Sequence, residues 1–487
     1  MLVGLYTSRV ILDALGVDDY GIYNVVGGFV SMFALISAAL TSACSRFLNF
    51  ELGKGNSERQ AIVFSTALTV QCGLAAIVVI LSEVIGVWYV NNVMILPPDR
   101  LSAANWCFQF SVFNFCMNLI TVPYNASIIA HEKMKAFAYI GLFQGLAQLC
   151  ISFLVYLEPF DRLVFYALLL MLLQFFIRLI YQLYCRRHFQ ECHYRFVLDK
   201  PLLKHMFSYS LWHLVGNSAA ILKSHGVNLL LNLFFGPAVN AAKGITTQVD
   251  SAVNQFVSNF MMALNPQITQ SYAKGDTSYM LQLIIKGACF SFYILFILSL
   301  PLIINAEFIM HLWLKEVPNY TVVFVQLTLI SMVIQSVSRP LITAQNATGD
   351  VRNYQLVVGG INLLTLPFCW LALYLGYSPI SVMIVTIIIN IIALGARIFM
   401  LPFTLKCFVR RDFVMQVVVK CLFVGLMASV IPIIVYKCQP SDFRNFIINV
   451  LICTISSSVT ILYIGCRQSE RVLIYSKAKQ FIIRIRR

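Results

Sequence analysis

Two ionisable side chains lie inside long apolar segments of the sequence, where a charge is costly and usually has a function. Lys223 lies near the middle of one segment, in the polar stretch Lys-Ser-His-Gly-Val-Asn that ends at Asn228. Asp250 lies about ten residues into the next segment, so the two side chains would reach similar depth in an antiparallel helix pair. Two interpretations follow. Either Lys223 and Asp250 neutralise each other in an ion pair, or Lys223 contacts an anionic substrate and Asp250 is a coupling carboxylate.

Further cations lie in or beside the apolar segments, namely Arg9, Arg178, Lys243, Lys286, Arg339 and Arg397. Any one of them could extend to the lipid headgroups, as long basic side chains near helix ends commonly do. The set is harder to explain in this way, because only Glu83 and Asp250 supply negative charge in the same segments. A cavity lined by such an excess of cations would suit an anionic substrate such as a phosphate or pyrophosphate.

Other kinds of chemistry find no support in the sequence. It contains no glycine-rich nucleotide-binding loop and no nucleophile–base motif in a loop, so we expect that the protein is not an enzyme. The 14 cysteines are scattered and form no CxxC pair or Cys/His cluster, so we expect no metal site and no cofactor. The net charge of +15 comes from short loops and the C-terminus, as the positive-inside rule produces, and does not indicate nucleic acid as a partner.

The elements that carry these residues are membrane-spanning helices. The chain has 487 residues, of which 59% are hydrophobic and 11% charged, and its mean hydropathy is +0.80. Apolar runs of about 18 residues or more recur throughout, and each can cross a hydrocarbon core of roughly 30 Å as a helix. A transmembrane barrel would show alternating segments of about ten residues instead. We therefore predict an all-α polytopic membrane protein.

A repeat organises these helices. The turn at Gly16 recurs at Gly236 and the loop Lys54-Gly55 recurs as Lys274-Gly275, with the same spacing of 220 residues. Further matches with spacings of 217 to 219 join Pro123 to Pro340, Lys135 to Arg352 and Arg178 to Arg397. Repeats of this size in a membrane protein indicate two halves that are built alike.

The apolar segments and the repeat predict about 14 transmembrane helices, arranged as two pseudo-symmetric six-helix lobes and two additional helices. We place the boundaries as follows: an N-terminal lobe at 1–184, a cytoplasmic linker at 185–204, a C-terminal lobe at 205–402, two additional helices at 403–466 and a basic cytoplasmic tail at 467–487. Lys and Arg concentrate in alternate loops and in the tail, which predicts that both termini are cytoplasmic. The tail from Arg471 can form a basic amphipathic helix on the anionic leaflet.

The first apolar segment is short. Only 12 residues precede Asp13, and twelve helical residues span about 18 Å, which is too short for a crossing. The repeat maps residues 1–15 onto 221–235, yet the helix there is predicted to begin near Met206. We therefore expect a first helix that is truncated by about half its length. The alternative is a short or re-entrant first segment.

Three stretches resemble a known family. They are residues 6–28, which begin Tyr-Thr-Ser-Arg-Val-Ile-Leu-Asp-Ala-Leu-Gly, residues 128–134 (Ile-Ile-Ala-His-Glu-Lys-Met) and residues 339–349 (Arg-Pro-Leu-Ile-Thr-Ala-Gln-Asn-Ala-Thr-Gly). They are similar to bacterial polysaccharide and O-antigen flippases of the multidrug, oligosaccharidyl-lipid and polysaccharide exporter superfamily. The resemblance covers nearly the whole chain. The family's first helix is complete, whereas this chain's is short.

The resemblance implies two six-helix lobes around a cationic cavity that opens alternately to either side of the bacterial inner membrane. It implies a flippase for undecaprenyl-pyrophosphate-linked oligosaccharide in surface polysaccharide assembly, with membrane lipids and a coupling cation as further partners. The family's cavity cations would correspond to Arg9, Arg178, Lys223 and Arg397. Two alternatives stay open. One is a cation-coupled multidrug exporter of the same superfamily with Asp250 as coupling site, and the other is a membrane glycan ligase or polymerase, which the short outer loops disfavour.

Overall fold

The fold was analysed in a computed structural model, which describes residues 2–31, 33–92, 94, 98–157, 161–195, 197, 199–314, 317–438, 443–468 and 470–472. These residues are almost entirely helical, and no strand occurs among them. The predicted all-α fold class is therefore confirmed. The side chain of Arg9 and the tail beyond residue 472 lie outside the described residues.

Nineteen α-helices occur in the described residues. The first part of the chain contains α1 (Leu2–Ser31), α2 (Ala34–Lys54), α3 (Ser57–Leu81), α4 (Val87–Asn92), α5 (Leu101–Ala130), α6 (Met134–Leu154) and α7 (Arg162–His188). The second part contains α8 (Lys200–Phe235), α9 (Pro237–Lys274), α10 (Thr277–Ile304), α11 (Ala306–Trp313), α12 (Thr321–Ser336), α13 (Arg339–Thr348), α14 (Arg352–Leu363), α15 (Thr365–Tyr374), α16 (Ile380–Thr404), α17 (Arg410–Phe413), α18 (Lys420–Cys438) and α19 (Phe443–Thr460). Stretches of π-helix at Ser82–Gly86, Val414–Val419 and Ile461–Gly465 continue three of the long helices.

The helices are long and apolar enough for a multi-pass membrane protein. Among the described residues, nine helical segments pass a test of length and apolarity for crossing a membrane, or ten if α12 and α13, bent by 41°, count as one broken span. Helices α1, α2, α8 and α9 are outside this set. These four are the helices that begin the two predicted lobes. The count of about 14 spans stays a prediction.

The repeat is present in the backbone. Gly16 and Gly236 have φ angles of 76° and 75°, and Gly55 and Gly275 have φ angles of 73° and 77°. Left-handed backbone of this kind is costly for residues with a Cβ, which explains why glycine stands at all four positions. The first pair breaks the chain between consecutive helical segments, and the second pair ends α2 and α9. The glycine spacing found in the sequence thus corresponds to repeated helix ends.

The residues next to these helix ends repeat as well. Asn56 and Asp276 follow the second glycine pair, and each side chain accepts a hydrogen bond from the backbone N–H three residues later. Such caps satisfy donors that the first helical turn leaves free. A further pair of left-handed residues, Glu132 at φ 54° and Gly349 at φ 83°, is 217 residues apart. That spacing is the one that relates Pro123 to Pro340.

The chain forms two compact units. The N-terminal unit comprises Met1–Asn217 and Thr269–Gly275, and the C-terminal unit comprises Ser218–Ile268 and Asp276–Arg487. Helices α8 and α9 therefore each contribute to both units. Helix α7 ends at His188 and α8 begins at Lys200, so the helix-free part of the predicted linker is shorter than 185–204. The predicted lobe boundaries themselves stay a prediction.

The N-terminal unit is built around α5, which packs against α1, α2, α3 and α7. Phe108 is fully buried in its apolar core. At the end of the unit that we predict to face outward, the Arg100 guanidinium forms ion pairs with Asp19 and with Asp161. The Asp161 carboxylate also accepts from the backbone N–H of Leu163 at the start of α7. The Arg100 guanidinium, just before α5, thus links the part of α1 that follows Gly16 to the start of α7.

At the other end of the N-terminal unit, the repeated helix ends meet. A Cβ placed on Gly53 of α2 would lie 2.7 Å from the Gln270 Cα and 2.8 Å from the Ala273 Cβ of α9. Gly53 and Ala273 are themselves 220 residues apart, so equivalent positions of the repeat face each other. The Phe50 and Tyr272 rings pack nearby with centroids 6.3 Å apart. Glycine at position 53 permits this close backbone contact.

The C-terminal unit contains two groups of helices. Helix α10 packs against α12, α13, α18 and α19, and α16 packs against α12, α14 and α15. Leu231 of α8, Phe324 of α12 and Cys369 of α15 are fully buried in one apolar cluster. This cluster positions the polar side chains of α8, α14 and α16 that form the candidate site.

The first helical segment is shorter than its repeat counterpart. Residues 2–15 precede the break at Gly16, whereas α8 has 36 residues before Gly236. The segment is helical from Leu2. Truncation of this helix stays a prediction.

Candidate functional site

Lys223 is held by amide oxygens. Its ammonium donates to the Asn390 Oδ1 at 2.8 Å and to the Asn362 Oδ1 at 3.2 Å, which brings α8, α16 and α14 together. The Asn390 side chain in turn donates to the Ser331 hydroxyl of α12 at 2.8 Å. Amide oxygens accept hydrogen bonds without neutralising the charge. The network therefore orients a half-buried ammonium and preserves its positive charge.

The ion pair that the sequence suggested between Lys223 and Asp250 is not formed in the described part of the chain. Similar depth in neighbouring helices does not fix the rotation of either helix about its axis. Lys223 is turned toward α14 and α16, where the two asparagines bind it. Asp250 interacts electrostatically with Lys243 and Arg339 instead.

Asp250 lies on a polar face of α9. Lys243 is seven residues earlier and Asn254 four residues later, so the three side chains share one face of the helix. The Arg339 guanidinium, at the start of α13, donates to the Asn254 Oδ1 at 2.8 Å. Asp250 thus has two cations for electrostatic partners, although neither is within ion-pair distance.

Arg397 joins the two parts of this arrangement. Its Nε donates to the hydroxyl of the buried Tyr354 at 3.1 Å. Its positive charge lies near enough to the cations Lys223 and Arg339 to repel both of them. Arg397 and Asn390 are seven residues apart on one face of α16. We call Lys223, Lys243, Asp250, Arg339 and Arg397 the charged cluster of the C-terminal unit; it holds four cations and one carboxylate.

Of the residues predicted for the site, the structure brings Lys223, Asp250 and Arg397 into this cluster. Arg178 lies on α7 in the N-terminal unit, where its Nε is buried and no described residue accepts a hydrogen bond from it. Arg9 lies on α1, and its side chain is outside the described residues. A single site containing all four predicted cations therefore stays a prediction.

Sequence reasoning counted Lys243 and Arg339 among the cations that could each reach the headgroups or together line a cavity, but it did not name them as site residues. It did not single out Asn254, Asn362 or Asn390. The available signal was the occurrence of asparagines inside apolar segments, where an amide needs a partner. Within the described residues, no group of three His, Cys, Asp or Glu side chains converges as a metal site.

The family model MatE matches residues 224–371, which span α9 and much of the charged cluster. Among curated protein sequences, none matches this one significantly. Solved structures are similar over most of the chain. One is the outward-facing conformation of a multidrug resistance MATE family transporter of the MOP superfamily, with a TM-score of 0.71, 12% identity and coverage of 84% of this chain and 92% of that one. The fold is that of the MATE transporters.

Two further structures bear on the site. A MOP superfamily transporter from Pyrococcus furiosus, described as having a binding pocket of reverse polarity, has a TM-score of 0.69 at 12% identity, with 84% and 93% of the two chains covered. The MATE transporter ClbM in complex with Rb⁺ has a TM-score of 0.68 at 14% identity, with 83% and 94% covered. All three structures are described as transporters, and at 12–14% identity the likeness concerns the fold. That this protein is not an enzyme stays a prediction.

Proposed function

We propose that this protein is an exporter of the MOP superfamily that works by alternating access. The observation that carries the proposal is a charged cluster at the junction of several helices within a MATE-type fold. Charged side chains are retained in membrane segments chiefly where they contact cargo or coupling ions. The exporter proposal also fits a multi-pass membrane protein with at least nine long apolar helical segments in its described residues.

The comparisons favour a cation-coupled exporter, because one similar structure is a multidrug resistance transporter and another was solved with Rb⁺. In this chain Asp250 is the carboxylate suited to coupling. It would bind a cation in one conformation and interact with Lys243 and Arg339 in the other. A coupling ion acts through such a difference in affinity between two states.

The second candidate is a flippase for undecaprenyl-pyrophosphate-linked oligosaccharide in the bacterial inner membrane. The observation that favours it is the charge balance of the cluster, with four cations and one carboxylate. Among the described residues, the acceptors of the Lys223 ammonium are two neutral amide oxygens, so its charge is available to an anionic cargo. A pyrophosphate group would be bound by several such cations at once.

Deletion of the gene tests the two candidates against each other. Loss of a cation-coupled exporter should leave surface glycan unchanged and raise sensitivity to drugs. Loss of a flippase should remove the surface glycan and leave lipid-linked intermediates facing the cytoplasm. Both phenotypes should be restored by the wild-type gene.

Asp250→Asn and Lys223→Gln, expressed at wild-type level in the deleted strain, test the cluster. Failure of both variants to restore the phenotype supports a transport role for the charged cluster. If both variants complement fully, the cluster is a packing feature. If the deletion changes neither drug sensitivity nor glycan, neither cargo class is correct.

A further inference from the structure

A second charged site lies in the C-terminal unit, apart from the charged cluster. A cleft of about 120 Å³ opens between α10, the start of α18 and the segment that follows α19. Three cations and one carboxylate line it, namely Lys286, Lys420, Arg467 and Glu470. None of them takes part in the network around Lys223.

The cations of this cleft are only partly neutralised. The Lys286 ammonium lies 3.8 Å from the Glu470 carboxylate, and the Lys286 side chain is 47% exposed. The Arg467 guanidinium donates to the Gln416 side chain at 2.8 Å, which leaves its charge unpaired. No described residue accepts a hydrogen bond from the Lys420 ammonium. The cleft therefore has an excess of two positive charges.

The cleft is built by specific contacts. The Tyr293 hydroxyl donates to the Gly465 carbonyl at 3.0 Å, and a Cβ on Gly465 would lie 2.9 Å from the Tyr293 side chain. This close approach holds the end of α19 against α10. The Glu470 carboxylate accepts from the Arg467 backbone N–H at 2.9 Å, which fixes the turn that carries both residues.

The position of the cleft in the membrane indicates its ligand. Lys286 lies nine residues into α10, and Arg467 lies two residues beyond the π-helical stretch that ends at Gly465, both on the side that the loop charges predict to be cytoplasmic. Apolar Ile285 and Phe290 line the cleft beside the cations. Long basic side chains that lie beside apolar ones in this part of a helix can reach the level at which phospholipid phosphates meet the acyl chains.

We propose that this cleft binds a phosphate group, with Lys286, Lys420 and Arg467 as its ligands, and that its source is an anionic phospholipid of the inner leaflet. Oxygens of a phosphodiester accept charge-assisted hydrogen bonds from Lys and Arg. A bound lipid would join α18 and the end of α19 to α10. The proposal does not depend on what the protein exports.

Native mass spectrometry of the full chain in detergent measures this binding. We expect phosphatidylglycerol to bind about tenfold more tightly than phosphatidylcholine, and Lys420→Gln to remove most of that preference. Lys437→Gln is the matched control, because Lys437 is exposed at the opposite end of the same helix. Lys420→Arg should retain the preference.

Two arms distinguish the sources of phosphate. If inorganic phosphate at a concentration of about 10 mM displaces phosphatidylglycerol fully from the cleft, free phosphate is the ligand and the lipid assignment is wrong. Equal binding of the two lipids, or equal effects of Lys420→Gln and Lys437→Gln, overturns the proposal. Arg467→Gln repeats the test if Lys420→Gln does not fold.

Discussion

The two halves of the repeat share their helix ends and differ in the charges between them. Gly16 and Gly55 in the first half have the same left-handed backbone as Gly236 and Gly275 in the second. The cap at Asn56 has a counterpart at Asp276. These features determine where each helix begins and ends.

The charged cluster has little counterpart in the first half. The repeat spacings map Lys243, Asp250 and Arg339 onto Tyr23, Val30 and Val122, and map Asn390 onto Met171. Among the side chains compared in this way, only Arg397 keeps its charge, in Arg178. Helix ends require particular backbone angles, so both halves retain them, whereas side chains between the ends are free to differ. Of the charged-cluster residues compared in this way, only Arg397 therefore has a charged equivalent in the first half.

The largest loss of transport should come from removing the positive charge of Lys223 in the second half. We expect Lys223→Gln to reduce transport about 10- to 100-fold, because a charged hydrogen-bonding group contributes roughly 1.5–3 kcal/mol. Efflux from reconstituted vesicles or complementation of the deleted strain measures it. Lys223→Arg should retain part of the activity.

Arg178→Gln is the matched variant in the first half, since Arg178 corresponds to Arg397. A smaller loss than that of Arg397→Gln would support the concentration of function in the C-terminal unit. Equal and complete loss in both would show that the two halves contribute alike. Full activity of Lys223→Gln would reduce Lys223 to a packing role.

The contact between equivalent helix ends gives the next prediction. We expect Gly53→Ala to destabilise the protein by about 1–3 kcal/mol, because its Cβ would overlap the Gln270 backbone, which cannot move aside as a side chain could. Thermal unfolding in detergent measures the loss. Gly73→Ala is the control, since a Cβ there meets nothing within 4 Å. A Gly53→Ala protein as stable as Gly73→Ala would contradict the contact.

The sequence predicted the helix ends better than the site. Gly16, Gly55, Gly236 and Gly275 could be recognised because glycine is needed wherever the backbone is left-handed, and such positions recur at fixed spacing. Lys223 could be recognised because a charge in an apolar segment is exceptional. Its partners could not, since they depend on how three helices are rotated about their axes. For the same reason the sequence could not show that Asp250 lies near Lys243 and Arg339, and the ion pair with Lys223 that it offered as one of two interpretations is wrong.

The repeated glycines should behave alike. Gly55→Ala and Gly275→Ala should each cost about 1 kcal/mol, because an L-residue is strained at φ of 73° or 77° while neither position has a neighbour within 4 Å. Unfolding temperatures of the two variants should fall by similar amounts. Gly141→Ala, in the middle of α6, should not be destabilising. Clearly different unfolding temperatures for the Gly55 and Gly275 variants would show that the two turns are not energetically equivalent, although their backbone angles are alike.

The smallest expected effect on stability concerns a turn that is stabilised by different contacts in the two halves. In the second half the turn after α13 is closed by Gln345, whose side chain donates to the Asp350 carbonyl at 2.7 Å. In the first half His131, at the end of α5, binds the Glu191 carboxylate and stacks on Phe189 with ring centroids 4.1 Å apart. A contact with the side chain of a neighbouring segment therefore takes the place of a local hydrogen bond.

The contact between His131 and Glu191 makes stability depend on pH through the Glu191 carboxyl. Burial is the largest single influence on Glu191 and acts to raise its pKa, but the hydrogen bond with His131, the electrostatic effect of His131 and a backbone hydrogen bond together outweigh it, so the pKa is lowered from its usual 4.5. A carboxyl whose pKa is lowered by folding adds stability above its unfolded pKa, and this stability is lost as the pH falls toward the folded value.

Glu191→Gln should therefore cost about 1 kcal/mol at pH 7, and the deficit should shrink below about pH 4.5. Gln345→Ala in the other half should show a deficit that does not change over this range, since no titrating group takes part in its hydrogen bond. Unfolding temperatures of both variants, measured from pH 7 to pH 4 against the wild type, test the comparison, and a Glu191→Gln deficit that stays constant with pH would contradict it.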